Sequence, residues 1–274
     1  MTGDTPSLDA FARLAVGGDR DALDRLVREL QDHVYGLALR MLWNREDAED
    51  ATQEILIRVV TRLAQFDFRS RLTTWVYRVA VNYLLDVKKS PIERMRVTFD
   101  GFAGDLVDGL SSDGPAEAER SLLTEEVKIG CTLGMLQCLD RPHRLAYILG
   151  EILELPGPEA AEILQIGADL FRKRLQHARA AIVSFTQRHC GLVSDAATCA
   201  CHRRVPAALR MGRVRPDAIA FANAADSFHH ARALVRRVEG ARRAIELHRV
   251  SRPRASSIDF ARRLIETIDT DPGG

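Results

Sequence analysis

The feature that most constrains the fold of this chain is a run of apolar residues spaced three and four apart near its start. The run comprises Leu23, Leu26, Leu30, Val34, Leu37 and Met41. This spacing lines up the side chains on one buried face of an α-helix. Similar patterns recur along most of the 274 residues, with no internal repeat and no strand of useful length. The sequence therefore predicts an all-α fold.

Residues that cap or break helices divide this helical pattern into segments. Asn44 offers a helix cap followed by acidic residues, Thr73 opens a third helix, and Pro91 ends the first group. Gly, Ser, Asp and Pro then dominate, which predicts a flexible acidic linker. Helices resume near Leu122. The predicted division is an N-terminal tail (1–20), a first helical domain (21–90), the linker (91–120), a second helical domain (121–188) and a cysteine- and arginine-rich helical extension (189–274). Within the extension we expect one helix over 217–248 and a short one over 257–268.

Composition excludes several classes of protein. No apolar run approaches the ~20 residues that cross a bilayer, and the first residues have neither the basic start nor the apolar stretch of a secretory signal. We therefore expect a cytoplasmic protein with no membrane insertion. No nucleophile elbow, zinc-protease motif, phosphate-binding loop or dinucleotide fingerprint is present. We expect a protein that is not an enzyme and requires no cofactor.

Charge is unevenly distributed although the net charge is only +1. The stretch from Phe99 to Glu126 holds eight acidic residues and one basic residue. The stretch from Arg203 to Arg263 holds fifteen arginines and five acidic residues. Such segregation predicts separate surfaces with separate partners, and it makes the acidic linker a plausible target for the arginines of the extension.

Three groups of polar residues share helix faces. Asp47, Asp50 and Glu54 follow one another at i, i+3 and i+7, opposite Ile55 and Val59. This stripe suits a basic partner surface, although solvated acidic faces are also common. The other two groups are the set Arg78, Asn82 and Lys89, and the set Asp169, Arg172, Lys173 and Gln176. Arginine and lysine reach phosphates, and arginine and asparagine can also read base edges.

The last group lies in a helix-turn-helix pattern. A short helix over 159–164 is followed by a tight turn over 165–167 and a longer basic helix from about Ala168 to Thr186. Phe171, Leu175 and Ala178 are predicted to face the core, which leaves the polar set outward. Two helices in this arrangement are typical of major-groove recognition.

Residues 39–54, 73–86 and 155–179 together resemble the extracytoplasmic-function sigma factors of bacterial RNA polymerase. They match the family patterns "DAED..QE", "RTWLYRIARNLALD" and "LSYEEIAEILGIPVGTVKSRLHRAR". The resemblance implies that Asp47, Asp50, Gln53 and Glu54 dock on the clamp helices of the polymerase. It also implies that one loop and helix face the melted upstream promoter element, through Phe66, Tyr77, Arg78 and Asn82. Lys89 joins this set because it can share one outward helix face with Arg78 and Asn82. Asp169, Arg172, Lys173 and Gln176 would then read duplex promoter DNA.

Several positions leave alternatives open or depart from the family. Aromatic side chains can stack on unpaired bases; for Trp75 a core position is favoured, and for Tyr77 both interpretations stand. Phe68 occupies a position where the family commonly has glycine, and Leu72 one where it commonly has phenylalanine. These departures leave the preferred promoter bases open.

The function implied is promoter recognition, promoter melting and transcription initiation. The implied partners are core RNA polymerase and promoter DNA, with an anti-sigma factor as a further candidate. Two alternatives are a helix-turn-helix regulator that acts without polymerase and a metal- or redox-responsive interaction protein.

The extension contains three cysteines and two histidines within fourteen residues. Zinc prefers four tetrahedral sulfur or nitrogen ligands, so Cys190, Cys199 and Cys201 with His189 or His202 could hold one ion. Thiol redox sensing and a purely structural role are the alternatives. The other two cysteines, at 131 and 138, are expected to be buried apolar residues of a helix.

Overall fold

The computed structural model describes residues 7–87, 91–94, 97–111, 117–223 and 227–270. Within these ranges the chain is built from α-helices, and the all-α prediction is confirmed. The helices are α1 (Leu8–Val16), α2 (Arg20–Leu42), α3 (Arg45–Thr61), α4 (Leu72–Asp86), α5 (Pro91–Arg94), α6 (Phe99–Val107), α7 (Glu117–Gln137), α8 (Arg141–Tyr147), α9 (Gly157–Ile163), α10 (Ala168–His189), α11 (Cys201–Arg210), α12 (Ser227–Arg237), α13 (Arg242–Val250) and α14 (Phe260–Thr270). A 3₁₀ turn covers Leu63–Gln65 and a π-helical turn covers Ile148–Ile152.

The chain forms two compact units whose boundaries differ from the predicted domains. The first unit holds residues 1–88, 161–167 and 255–274, and the second holds 89–160 and 168–254. The predicted extension is therefore divided between the two units. Its last part folds with the first helical domain, and the remainder shares a core with the second.

The first unit is built on α2, α3 and α4. Asp19 caps α2 by accepting from the Ala22 N–H, and Asn44 caps α3 by accepting from the Asp47 N–H at 2.8 Å. The apolar run of α2 is buried from Leu26 to Met41, as its spacing predicts. Burial of these side chains is the main favourable term in folding this unit.

Helix α1 occupies the segment that was predicted to be a loose tail. Ser7 caps it, and Phe11 and Ala12 are buried. The Asp9 carboxylate accepts a hydrogen bond at 3.1 Å from the backbone N–H of Leu72, the first residue of α4. The tail prediction is therefore wrong over 8–16, because two buried side chains in a short helix carry too little periodicity to stand out in the sequence.

The C-terminal helix α14 also belongs to the first unit. It packs on α2 and α3 and buries Phe260, Ala261 and Leu264. Just before it, Ser256 Oγ donates to Glu49 at 2.7 Å. Two further side-chain contacts join this segment to α2 and α3. Arg45 donates to Ser257 at 2.9 Å, and Arg28 donates to Asp259 at 3.0 Å.

In the second unit, the predicted flexible linker contains an ordered helix. Thr98 caps α6, and the rings of Phe99 and Phe102 lie 5.2 and 5.7 Å from that of Phe185 on α10. Asp105 of α6 pairs with Arg204 at 3.2 Å and with Arg213. The linker prediction is corrected over 91–94 and 99–107, which form α5 and α6. As expected, the acidic segment pairs with arginines of the extension.

The extension folds against the helices that precede it. Helix α11 packs on α7, and α13 packs on α10 and on the π-helical turn. Arg249 of α13 donates to the carbonyl oxygen of Glu151 in that turn and pairs with Glu154 at 3.0 Å. The single helix predicted over 217–248 is wrong. The chain instead breaks between α12 and α13, where Gly240 adopts a left-handed φ of 56° that glycine accepts without steric cost. In the described part of the chain, no helix is long and apolar enough to cross a membrane.

Candidate nucleic-acid interface

The acidic stripe of α3 lies on the outside of the first unit. Asp47 and Asp50 are exposed, whereas Gln53 and Glu54 are partly exposed. Glu54 accepts from Arg58 Nε at 2.8 Å, an i,i+4 pair that adds little to stability at this exposure. Helix α14 approaches α3 beside Glu49 and leaves the stripe open. The four residues predicted to bind a partner therefore share one accessible surface.

A cleft of about 250 Å³ lies beside this stripe, where the end of α3 meets α4. Its lining residues are Arg58, Arg62, Gln65, Trp75, Arg78, Val79 and Asn82. Three guanidinium groups, two amides and one indole ring therefore share the same small volume. Arg78 also donates to Glu162 at 2.6 Å, so a ligand that takes this arginine must compete with a partly exposed ion pair.

The cleft includes residues that the sequence reasoning missed. Arg78 and Asn82 line it as predicted, but Arg58, Arg62 and Gln65 come from α3 and the turn after it. The detectable signal is the i,i+4 spacing of Arg58 and Arg62, which places both on one helix face. Trp75, for which a core position was favoured, is half-buried and reaches the cleft.

Two other predicted DNA contacts are buried instead. Phe66 is 5% exposed and lies against the rings of Phe68 and Trp75, at centroid distances of 4.6 and 5.4 Å. Tyr77 is 7% exposed, with its hydroxyl 3.5 Å from His33 Nδ1. Both rings stabilise the core behind the cleft, because a large apolar ring gains more from burial than from exposure. Lys89 lies outside the described residues.

The long helix α10 presents its predicted polar face to solvent. Asp169, Arg172, Lys173 and Gln176 are all exposed, and Phe171 and Ala178 are buried behind them. Leu175 is only partly buried. Arg172 pairs with Asp169 one turn earlier, so both side chains lie on the outer face. Leu170 is also exposed, and its side chain adds an apolar patch to this surface.

Comparison with known proteins gives the family. Residues 26–90 match sigma-70 region 2. The chain is 32% identical over 170 residues to the ECF RNA polymerase sigma factor SigW of Bacillus subtilis, covering 60% of this chain and 89% of that protein. It is 30% identical to the RNA polymerase sigma factor NccH of Alcaligenes xylosoxydans xylosoxydans, covering 66% and 96%. The chain belongs to the extracytoplasmic-function sigma factors of RNA polymerase.

One further relative, a sigma factor by its own description, agrees with this assignment. The RNA polymerase sigma-H factor of Pseudomonas aeruginosa is 29% identical over 172 residues, which is 60% of this chain and 86% of that protein. The solved structure of CnrH in complex with the cytosolic domain of CnrY covers 65% of this chain and 95% of its own, with 18% identity and a TM-score of 0.47. As a sigma factor, the protein acts in transcription initiation with core RNA polymerase.

Phe68, which departs from the family pattern, has a left-handed backbone conformation. Phe68 stands where glycine is common, and its φ is 56°. This left-handed conformation is easy for glycine and costs roughly 1–2 kcal/mol for other residues. Here the Phe66 ring and Arg13, whose guanidinium lies 3.9 Å from the Phe68 centroid, hold the side chain in place.

The predicted zinc ligands of this sigma factor are only partly brought together. Cys190 and Cys199 lie side by side in a backbone bridge, and Cys201 begins α11 close by. The ring of His189 lies 5.0 Å from that of Phe185, and His202 is exposed. Over the described ranges, no three His, Cys, Asp or Glu side chains are arranged to hold a metal ion as they stand. All five cysteines are free thiols.

Proposed function

We propose that this sigma factor holds the separated strand of the upstream promoter element in the cleft lined by Arg62, Trp75, Arg78 and Asn82. The observation that carries the proposal is the composition of that cleft. Cationic, aromatic and amide groups converge in a volume of about 250 Å³, which is the combination that single-stranded nucleic acid requires.

Each kind of group in the cleft has a distinct task. The arginines neutralise backbone phosphates, which gives salt-dependent affinity without sequence preference. The Trp75 ring offers a stacking surface to an unpaired base, and the Asn82 amide can bond to a base edge. Stacking on Trp75 offsets part of the few kcal/mol that a base loses when it leaves the duplex.

Two further surfaces, the acidic stripe of α3 and the outer face of α10, bind polymerase and duplex DNA in this proposal. The stripe of Asp47, Asp50, Gln53 and Glu54 binds a basic surface of core polymerase. The outer face of α10 enters the major groove of duplex promoter DNA, where Arg172 is placed to reach guanine and Lys173 to reach phosphate. Phosphodiester chemistry belongs to the polymerase in the cytoplasm, and this chain supplies specificity.

The proposal is tested with holoenzyme assembled from purified core polymerase and a forked promoter fragment whose upstream element is already single-stranded. Trp75→Ala and Asn82→Ala should weaken binding of the fork by about 10-fold each, corresponding to the loss of roughly 1–3 kcal/mol per stacked or read base. Arg62→Ala should lower the salt slope by about one. Arg25→Ala, an exposed arginine of α2 outside the cleft, is the matched control.

The same measurement on fully duplex DNA separates the cleft from α10. Cleft variants should lose affinity for the fork while retaining contacts to the upstream duplex. Equal losses on the two substrates, or a loss as large for Arg25→Ala, would show that the cleft does not hold the separated strand. The alternative of a regulator acting without polymerase predicts specific duplex binding by the isolated chain, which the family assignment argues against.

A further inference from the structure

Leu170 lies in the first turn of α10 and exposes its apolar side chain to solvent. Among the described residues six large apolar side chains are well exposed, and Leu170 is the one that lies in the helix-turn-helix motif. Its exposed fraction is 43%. A single apolar residue on a protein surface needs no explanation by itself. Leu170 needs one because it lies among the polar residues that are placed to read DNA.

The packing of α10 against the π-helical turn keeps Leu170 out of the core. Phe171, the next residue, is 2% exposed, and its ring lies with Leu175 against Gly150 of that turn. A Cβ atom added to Gly150 would lie 2.9 Å from Leu175 Cδ2 and 3.2 Å from Phe171 Cζ. These contacts fix the rotation of α10 about its own axis. Because successive residues of a helix are about 100° apart, Leu170 must then point away from the side that Phe171 occupies.

The side chains around Leu170 suit a partner that carries negative charge. Lys173 and Arg174 follow Leu170 at i+3 and i+4, which makes them its neighbours on the helix surface. Lys173 is exposed and Arg174 is partly exposed. Asp169, the acidic neighbour, is already paired with Arg172. An apolar side chain bordered by cations fits duplex DNA, where phosphates flank a major groove that also presents a methyl group.

We propose that Leu170 is a specificity-determining residue that contacts the C5-methyl group of one thymine in the upstream promoter element. The proposal rests on the proposed function, in which the outer face of α10 enters the major groove. Among the four unmodified bases, only thymine carries a methyl group there. The N-terminal residues of a recognition helix are those that contact base edges, and Leu170 is the third residue of α10.

The contact selects thymine through burial of apolar surface. Leucine has neither a donor nor an acceptor in its side chain, so it cannot read the hydrogen-bonding pattern of a base. Placing Leu170 against the thymine methyl group removes apolar surface of both partners from water. Cytosine presents an amino group to the same groove and purines present the N7 acceptor, so these bases would bring a polar edge against Leu170. This preference is separate from the guanine contact proposed for Arg172.

The test uses holoenzyme assembled from purified core polymerase, which first selects its upstream element from duplex DNA randomised at that position. In the selected element each thymine is then replaced in turn by deoxyuridine, which keeps the base pair and the O4 acceptor but lacks the methyl group. We expect the wild-type protein to lose about three- to five-fold in affinity at one position, as for loss of one buried methyl-sized group. With Leu170→Asn, the same change in the DNA should have no effect on affinity.

Leu14→Asn is the matched control, because it makes the same substitution at a leucine of α1 that is 51% exposed. This variant should retain the full response to deoxyuridine. If Arg172→Ala weakens duplex binding but no thymine position responds to loss of its methyl group, the assignment of Leu170 alone is wrong. If Arg172→Ala and Leu170→Asn both bind as the wild type does, the assignment fails together with the proposed interface of α10. An equal response to deoxyuridine in Leu170→Asn, or a selected element without thymine, would also overturn the proposal.

Discussion

Ser256 Oγ donates a hydrogen bond of 2.7 Å to the carboxylate of Glu49, a residue 207 positions earlier in the chain. Arg45 binds the same carboxylate at 3.0 Å and reaches Ser257 at 2.9 Å. These contacts bind the C-terminal segment to α3 beside Glu49, on a different side of the helix from the acidic stripe. The segment therefore stabilises the first unit and leaves its proposed polymerase-binding surface open.

Replacing Phe260 by alanine should destabilise the first unit by about 3–5 kcal/mol, because this residue of α14 is almost fully buried where the helix packs on α2 and α3. Both tryptophans of the chain, Trp43 and Trp75, lie in this unit, so denaturant unfolding followed by their fluorescence reports on it directly. Arg263→Ala, an exposed position on the same helix, should change stability by less than about 0.5 kcal/mol. Equal stability of the two variants would show that α14 does not dock in solution.

Reversing the charge of Asp50 and Glu54 together should weaken binding to core polymerase at least about 10-fold while leaving the fold intact. Exposed helix charges change stability by roughly 0.5 kcal/mol or less, so unfolding will not confound the result. The measurement is a titration of labelled core enzyme. Glu29→Lys, an exposed acid of α2 away from the stripe, is the control. Unchanged affinity in the double variant would remove the stripe from the interface.

Arg172→Ala should reduce upstream promoter binding by roughly 1–3 kcal/mol and relax the preference at one base pair. Lys173→Ala should instead weaken binding to all sequences and lower the salt slope by about one. Footprinting of each holoenzyme at two salt concentrations distinguishes these effects. Arg188→Ala, exposed near the far end of α10, serves as the control. Wild-type protection in both variants would show that another face of α10 meets the DNA.

Asp105→Asn should destabilise the second unit by about 1–3 kcal/mol, because Arg204 is buried and loses its carboxylate partner. Asp217→Asn removes only an exposed pair with Arg215 and should have little effect. Burial raises the pKa of Asp105, but Arg213 and Arg204 outweigh it and lower the pKa below its ordinary value. Asp105 therefore contributes to the free energy of unfolding in full when the pH is above the ordinary pKa of an aspartate. This contribution is lost as the pH falls through the lowered pKa of the folded protein. Hydrogen exchange of α6 and α11, measured at neutral and at acid pH, reports the destabilisation by Asp105→Asn and its loss in acid. Identical protection in Asp105→Asn and Asp217→Asn would contradict the prediction.

Gly191→Ala should loosen the loop that joins Cys190 to Cys199, at a cost of about 1–3 kcal/mol, because the new methyl group collides with the Cys199 oxygen. Thiol alkylation should then become faster at both cysteines. Gly167→Ala is a matched control, since a Cβ there meets no atom within 4 Å. Equal alkylation rates in the two variants would show that the loop does not depend on this close approach.

The truncation after residue 188 that the predicted domain boundaries suggest is not a clean test of the extension. Val205, Ala208 and Val214 form one apolar cluster with Leu123 and Val127 of α7. Removing the extension would expose this core, so lost activity would report unfolding as readily as the loss of any contact that the extension makes.

The sequence by itself determined the helical class, the main helices and the outer faces of α3 and α10. These features depend on local periodicity and capping, as Asn44 and the run from Leu26 to Met41 illustrate. The family resemblance also rests on contiguous motifs and is confirmed. Each of these properties is encoded within a few helical turns, so no knowledge of distant contacts is needed to find it.

Only the tertiary structure decided which residues from distant segments meet. It buried Phe66 and Tyr77, opened Trp75 to the cleft, ordered α6 through Phe185 and Arg204, and paired the backbone of Cys190 with that of Cys199. It also divided the extension between two units. These outcomes depend on competition among long-range burial and charge contacts. The partners lie as far apart as Arg28 and Asp259, 231 positions along the chain, and leave no periodic trace in the sequence.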